Sequence, residues 1–168
     1  MHLPRYHFYA GATKTIFEFV SEGPKGYIHK LVEYSPVNSN DIYNLGFGDV
    51  DELEEPYNDM IVSNNGDSAK VLATVAATVF EFTQKYPKAS VLATGSTKSR
   101  TRLYRMNVNR YLHEIQEHFV IFGYCKSNSW EEFNNKKDYE AFLLTRIENR
   151  NEIWLELQTL NLTMKTVG

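Results

Sequence analysis

Between Asp59 and Tyr124 the chain reads strand, helix, strand, helix, strand, and this alternation restricts its fold more than any other feature. Met60-Ile61-Val62-Ser63 has strand character. Asn64-Asn65-Gly66-Asp67 then marks a turn, with Asp67 or a preceding Asn placed to cap a helix. Val71, Leu72, Val75, Val79, Phe82 and Tyr86 recur at helical spacing until Pro87 ends the pattern. Val71, Val75, Val79 and Phe82 form one stripe expected to face a sheet. Alanines 69, 73, 76 and 77 predict close approach to a neighbour. Ser90–Thr94 is a short central strand, because Val91-Leu92-Ala93 is apolar on both faces. A second helix is predicted from Thr97 to Glu117, carrying Leu103, Met106, Tyr111, Leu112 and Ile115. His118–Tyr124 returns to strand character.

The flanks add more sheet. Thr15–Val20 and Tyr27–Tyr34 enclose Gly23-Pro24-Lys25-Gly26, a turn cluster between aromatic and β-branched runs, which predicts a hairpin. Arg5–Tyr9 reads as a short edge strand. Ile42–Phe47 follows the loop Pro36–Asp41, and Tyr139–Ile147 forms a late strand. Ser127–Asp138 is polar and reads as a loop with a short turn around Trp130. Ile153-Trp154-Leu155-Glu156-Leu157 is apolar enough to pack, while Met164–Gly168 should fray. These segments predict an α+β fold: a mostly antiparallel sheet of six to eight strands, in order ββββαβαββ, with two main helices packed on it. They form a single domain over residues 1–147, followed by a C-terminal extension over 148–168.

The totals narrow the function classes. A chain of 168 residues buries enough surface to fold without a metal or disulfide. Its single cysteine, Cys125, has no intrachain partner. No charged start precedes an apolar run, and no apolar run reaches the ~18 residues that span a bilayer. A cytoplasmic protein without a membrane partner is expected. The net charge of −3 gives no global attraction to nucleic acid, so any such contact must come from a local patch. Nothing in the sequence sets an oligomeric state.

One local patch stands out. The second helix opens on Thr94-Gly95-Ser96-Thr97 and then carries Lys98, Arg100, Arg102, Arg105 and Arg110 with no acid among them. At ~100° per residue, Lys98, Arg102 and Arg105 share one face and Arg100 points away. Cations above a strand-to-helix turn suit an anionic ligand or nucleic acid. The competing reading is a solvated helix face whose arginines pair with acids. Cations at a helix N-terminus oppose its dipole by about 0.3 kcal/mol or more each, which favours a compensating anion of either kind. Residues 49–59 could supply one. They hold six acids (Asp49, Asp51, Glu52, Glu54, Glu55 and Asp59) and no base, and read as a solvated loop. The turn Asn64, Asn65, Gly66 is a secondary candidate, although Asp67 already places a negative charge there.

Other chemistries fail on spacing. There is no G-x-x-x-x-G-K-[ST], no G-x-G-x-x-G and no G-x-S-x-G. His113 and His118 are five apart rather than four, so they do not share a helix face as a zinc pair would. Cys125 reads as a small core residue of an apolar strand. No cofactor, metal or catalytic residue is assigned.

Two resemblances enter here. Asn64-Asn65-Gly66-Asp67, Lys70-Val71-Leu72-Ala73-Thr74-Val75-Ala76, Ala93-Thr94-Gly95-Ser96 and Arg100-Thr101-Arg102-Leu103-Tyr104-Arg105-Met106 resemble an uncharacterised bacterial family, mainly from Bacteroidota, over about residues 14–147. That likeness implies no activity. At fold level, strand, turn, helix, strand and Leu103-Tyr104 before another strand are similar to the second half of GNAT acyltransferases. There a glycine-rich turn binds the coenzyme A pyrophosphate. Here that turn has one glycine and an acid, and the Asn of the family's Asn…Leu-Tyr signature is absent. The sequence thus points to a non-catalytic binding or interaction module with an anion-contacting basic helix. The alternative implied by the fold-level likeness is a divergent acyltransferase with a degenerate coenzyme A turn.

Overall fold

The computed structural model describes residues 4–37, 41–50, 65–95 and 97–159. Its strands are β1 (Phe8–Ala10), β2 (Ile16–Gly23), β3 (Gly26–Pro36), β4 (Ile42–Asp49), β5 (Ser90–Ala93), β6 (Phe119–Tyr124), β7 (Trp130–Glu132) and β8 (Ala141–Arg146). Its helices are α1 (Ser68–Lys85), α2 (Lys98–Arg110), α3 (Leu112–Gln116) and α4 (Arg150–Thr159), with a 3-10 turn at Ile147–Asn149. The fold is α+β, as the periodicities predict. One eight-stranded sheet runs β1-β2-β3-β4-β5-β8-β6-β7. The pairings β1/β2, β2/β3, β5/β8, β6/β8 and β6/β7 are antiparallel. The expected strand Met60–Ser63 lies outside the described residues, as do all but Asp49 of the six acids in 49–59. Among the described residues no helix is long and apolar enough to cross a membrane. By its contacts the chain divides into two compact units, each made of two stretches.

The first unit comprises Met1–Ser35 and Leu45–Tyr86. Its hairpin closes between Gly23 and Gly26, which pair across Pro24-Lys25. Gly26 has φ +90°, a conformation that the glycine tolerates without a steric penalty. Alternation along β2 buries Phe17, Phe19 and Ser21 and exposes Ile16, Glu18 and Val20. Val71, Val75, Val79 and Phe82 of α1 are all buried, so the predicted stripe holds. Phe82 stacks on Tyr34 with ring centroids 4.1 Å apart. The Tyr34 hydroxyl shares a hydrogen bond with Thr78 Oγ1 at 2.8 Å, and burial pushes its phenol well up from the ordinary value. Lys30 stands opposite Phe19 and forms a buried ion pair with Asp49.

One expectation is corrected here. Asp67 occupies the N-cap position of α1, but its side chain makes no capping hydrogen bond. Its Oδ2 accepts instead from Tyr6 Oη at 2.6 Å and Ser21 Oγ at 2.5 Å. Asn65 is buried and donates through Nδ2 to Ser21 Oγ at 3.2 Å and to the Gly26 carbonyl at 3.0 Å. Its Oδ1 accepts from Lys25 N at 2.7 Å. The carboxylate is drawn from the helix end because two hydroxyls reach it, and each supplies a charge-assisted bond.

The second unit comprises Pro36–Asn44 and Pro87–Gly168. Leu92, Leu143 and Phe122 stand in register across β5, β8 and β6. They share a core with Ile42, Tyr124, Trp130, Ala141 and, from α4, Ile153 and Leu157. The alternate residues Ile121 and Phe142 form a second core with Phe133 and Tyr139, against which Tyr104, Val108, Leu112 and Ile115 pack. The sheet of this unit is therefore covered by α4 on one face and by α2 and α3 on the other. All four residues of β5 are buried, as its two-sided apolar run predicts.

Three details differ from the sequence reading. Trp130 is not in a loop turn: it begins β7, pairs with Tyr124 and is buried. The second helix is not continuous to Glu117, because Tyr111 leaves helical geometry at φ −112°, ψ 16° and separates α2 from α3. Within the expected C-terminal extension, Arg150–Thr159 form α4, whose Ile153 and Leu157 enter the core, and residues 160–168 lie outside the described residues.

Candidate functional site

The basic helix starts where β5 ends. Thr97 is its N-cap, in extended conformation at φ −134°, ψ 162°, and its Oγ1 accepts from Arg100 N at 3.1 Å. This satisfies one of the free N–H groups of the first turn. Thr101 Oγ1 donates to the Thr97 carbonyl at 3.1 Å. Gly95 lies flat against the same turn: a Cβ built on it would stand 2.3 Å from Thr101 N. Only a residue without a side chain fits there, so Gly95 packs directly onto the first turn of the helix. Ser96 lies outside the described residues.

The cations separate by environment. Lys98 and Arg102 are exposed, and Arg100, on the opposite side, is buried. Among the described residues neither Lys98 nor Arg102 takes part in an ion pair. Arg105 is committed elsewhere. Its Nε donates to the Lys137 carbonyl at 2.8 Å, and its Nη1 lies 3.0 Å from Asp138 Oδ1. Arg105 thus fastens α2 to the loop that follows β7. Arg110 is exposed and lies 5.6 Å from the Tyr111 ring centroid. Of the cations expected to share a face, two remain at the surface and the third holds structure. The secondary turn is also engaged internally, since Asn65 is bonded to the hairpin tip and Gly66 turns with φ +74°. Asn64 is outside the described residues.

The structure assembles a polar cluster that the sequence does not reveal. Tyr139 Oη donates to Glu131 Oε1 at 2.7 Å and accepts from Asn134 N at 2.9 Å. Lys137 Nζ stands 3.0 Å from the same carboxylate. Burial first, and then the bond to Glu131, push the Tyr139 phenol up to about 12. The bonds from Tyr139 and Lys137 hold the Glu131 carboxyl below its ordinary value. Cys125 lies one residue past β6 and is partly buried. Burial and the nearby Glu131 charge push its thiol up, which disfavours the nucleophilic thiolate. Gly123 permits this arrangement, because a Cβ there would meet the Tyr139 ring at 2.3 Å.

Across the sheet, Phe122, Glu132, Arg150, Asn151 and Trp154 line an open cleft of about 390 Å³. The residues come from β6, β7 and α4, and no spacing in the sequence announces their meeting. His113 lies in α3 and His118 beyond its end. Among the described residues no group of three His, Cys, Asp or Glu side chains is placed to hold a metal ion.

These features define an α+β protein with a mostly antiparallel sheet and an acid-free basic helix, an architecture that by itself assigns no activity. The chain belongs to a family of unknown function, DUF6934, whose model matches residues 2–147. No curated protein and no solved structure matches it.

Proposed function

We propose that the protein is a non-catalytic binding module that holds an anionic partner on the exposed side of α2. Lys98 and Arg102 make the contacts, and the Thr94–Thr97 turn fixes where the helix begins. Arg105 sets the orientation of the helix through the 134–138 loop. The observation that carries this reading is the division of labour among the cations: Arg105 is paired with Asp138, while Lys98 and Arg102 stay exposed with no ion partner among the described residues. They stand one turn apart, about 6 Å along the axis, and project from the same side. Two such charges suit consecutive phosphates or one polyphosphate.

The test is equilibrium binding to a labelled oligonucleotide and to tripolyphosphate over a range of salt. With a nucleic acid, log K falls linearly with log salt, and the double variant Lys98→Gln/Arg102→Gln lowers that slope by up to about two. With tripolyphosphate alone, the double variant abolishes binding with a weaker salt dependence. Absence of binding to both probes, or equal binding by the double variant, would overturn the reading.

A further inference from the structure

We propose that the cleft between α4 and the β6–β7 edge binds a planar nitrogen heterocycle of the nucleobase class, stacked on Trp154 and held along its edge by Asn151. The cleft has about 390 Å³, within the ~300–1,000 Å³ typical of small-ligand sites. Its floor is prepared for a flat ring. Trp154 stacks on Phe122 with centroids 5.6 Å apart and planes 21° apart. Phe122 is 1% exposed, so it is anchored in the core and fixes the plane of the indole. Trp154 itself is 39% exposed, against 5% for Trp130, the other tryptophan. An aromatic ring can add to the pair in the offset geometry that such rings prefer.

The polar residues give the class of ring. Asn151 lies three residues before Trp154, on the same side of α4. Its amide makes no hydrogen bond among the described residues, and it presents one donor and one acceptor side by side. That pair matches the adjacent donor and acceptor on a base edge, the geometry by which Asn reads adenine. Arg150 Nη2 and Glu132 Oε2 form an ion pair at 2.5 Å on the wall. Both side chains are about half exposed, so the pair contributes little to stability and remains open to exchange with a ligand. Glu132 can accept from an exocyclic amine, and Arg150 can donate to a ring nitrogen or carbonyl. Arg150, Asn151 and Trp154 all lie beyond residue 147, where the family match ends. The C-terminal helix thus supplies three of the five residues that line this cleft, on the sheet face opposite α2.

The test is titration of tryptophan emission with adenosine and uridine, which carry no phosphate and so do not address the basic helix. Buried Trp130 supplies a constant background. The expected result is saturable quenching by at least one nucleoside. Asn151→Leu, at an exposed position, should weaken binding at least about tenfold, because it removes the edge contact. Trp154→Leu keeps an apolar cover over Phe122 and should abolish binding when followed by calorimetry. Lys98→Gln/Arg102→Gln should leave nucleoside affinity unchanged. Quenching that rises linearly without saturation, equal affinity in Asn151→Leu, or loss of affinity in the Lys98/Arg102 variant would each overturn the proposal.

Discussion

At the scale of single residues, the bond between Tyr139 and Glu131 ties two opposite titrations to one contact. Tyr139 is buried against Gly123 and donates to Glu131 at 2.7 Å. Its folded pKa of about 12 lies above the ordinary 10.0, with burial the larger cause and the carboxylate the second. A phenol raised in this way contributes stability that is complete below pH 10 and is lost as pH rises towards about 12. Glu131 behaves in the opposite sense. Its folded pKa is lowered, so its contribution is present above its ordinary value and is lost as acid protonates it. Glu131→Gln should therefore move Tyr139 down without returning it to 10, because the burial remains. Phenolate absorbance should show one of the eleven tyrosines shifting to lower pH in the variant. A superimposable alkaline titration would show that the carboxylate does not act on this phenol. The sequence contains both residues but gives no sign of their meeting, since Glu131 belongs to a short strand that reads as loop.

At the scale of elements, what was legible depended on how much of the pattern an element carries in its own residues. The stripe of α1 and the two-sided apolar run of β5 specify themselves, because each buried residue follows from period and composition. The hairpin was equally clear, since Gly23 and Gly26 flank its turn. The break at Tyr111 was not legible: Tyr104, Val108, Leu112 and Ile115 reach one core whether or not the helix is continuous, so their spacing is the same in both cases. Nor was β7, whose three residues are too few to show alternation and owe their strand to pairing with β6. The basic run was legible as a charged helix. The commitment of Arg105 to the 134–138 loop was not, because that contact depends on tertiary placement. Asp67 shows the same limit, as its capping role is displaced by hydroxyls from Tyr6 and Ser21. The structural weight of α4 can be measured. Ile153 is 4% exposed and sits in a core with Leu92, Phe122 and Leu143, whereas Leu155 is 62% exposed. Ile153→Ala should cost about 2–5 kcal/mol in urea unfolding, through lost burial and the cavity left behind. Leu155→Ala should stay within about 0.5 kcal/mol of wild type. Equal, small effects of the two changes would mean that α4 does not close this core.

At the scale of the molecule, the question is whether two compact units unfold as one. The boundary falls inside β4, with Ile42–Asn44 in the second unit and Leu45–Asp49 in the first. Each unit is also built from two stretches, so neither is a continuous piece that the chain completes before starting the other. Units interleaved along the chain in this way favour a single cooperative transition. The placement of the tryptophans makes this testable. Trp130 and Trp154 both belong to the second unit, so their emission reports that unit alone. The long helix α1 belongs to the first and contributes to the far-ultraviolet circular dichroism. Val75 is buried on the α1 stripe, 5% exposed, and has no part in the second unit. Val75→Ala should destabilise by about 1–3 kcal/mol, as a large-to-small core change. If the chain is one cooperative system, the midpoint of the tryptophan transition should fall by the full amount and coincide with the dichroism midpoint. A tryptophan transition that stays at its wild-type midpoint while the dichroism shifts would show instead that the units unfold separately.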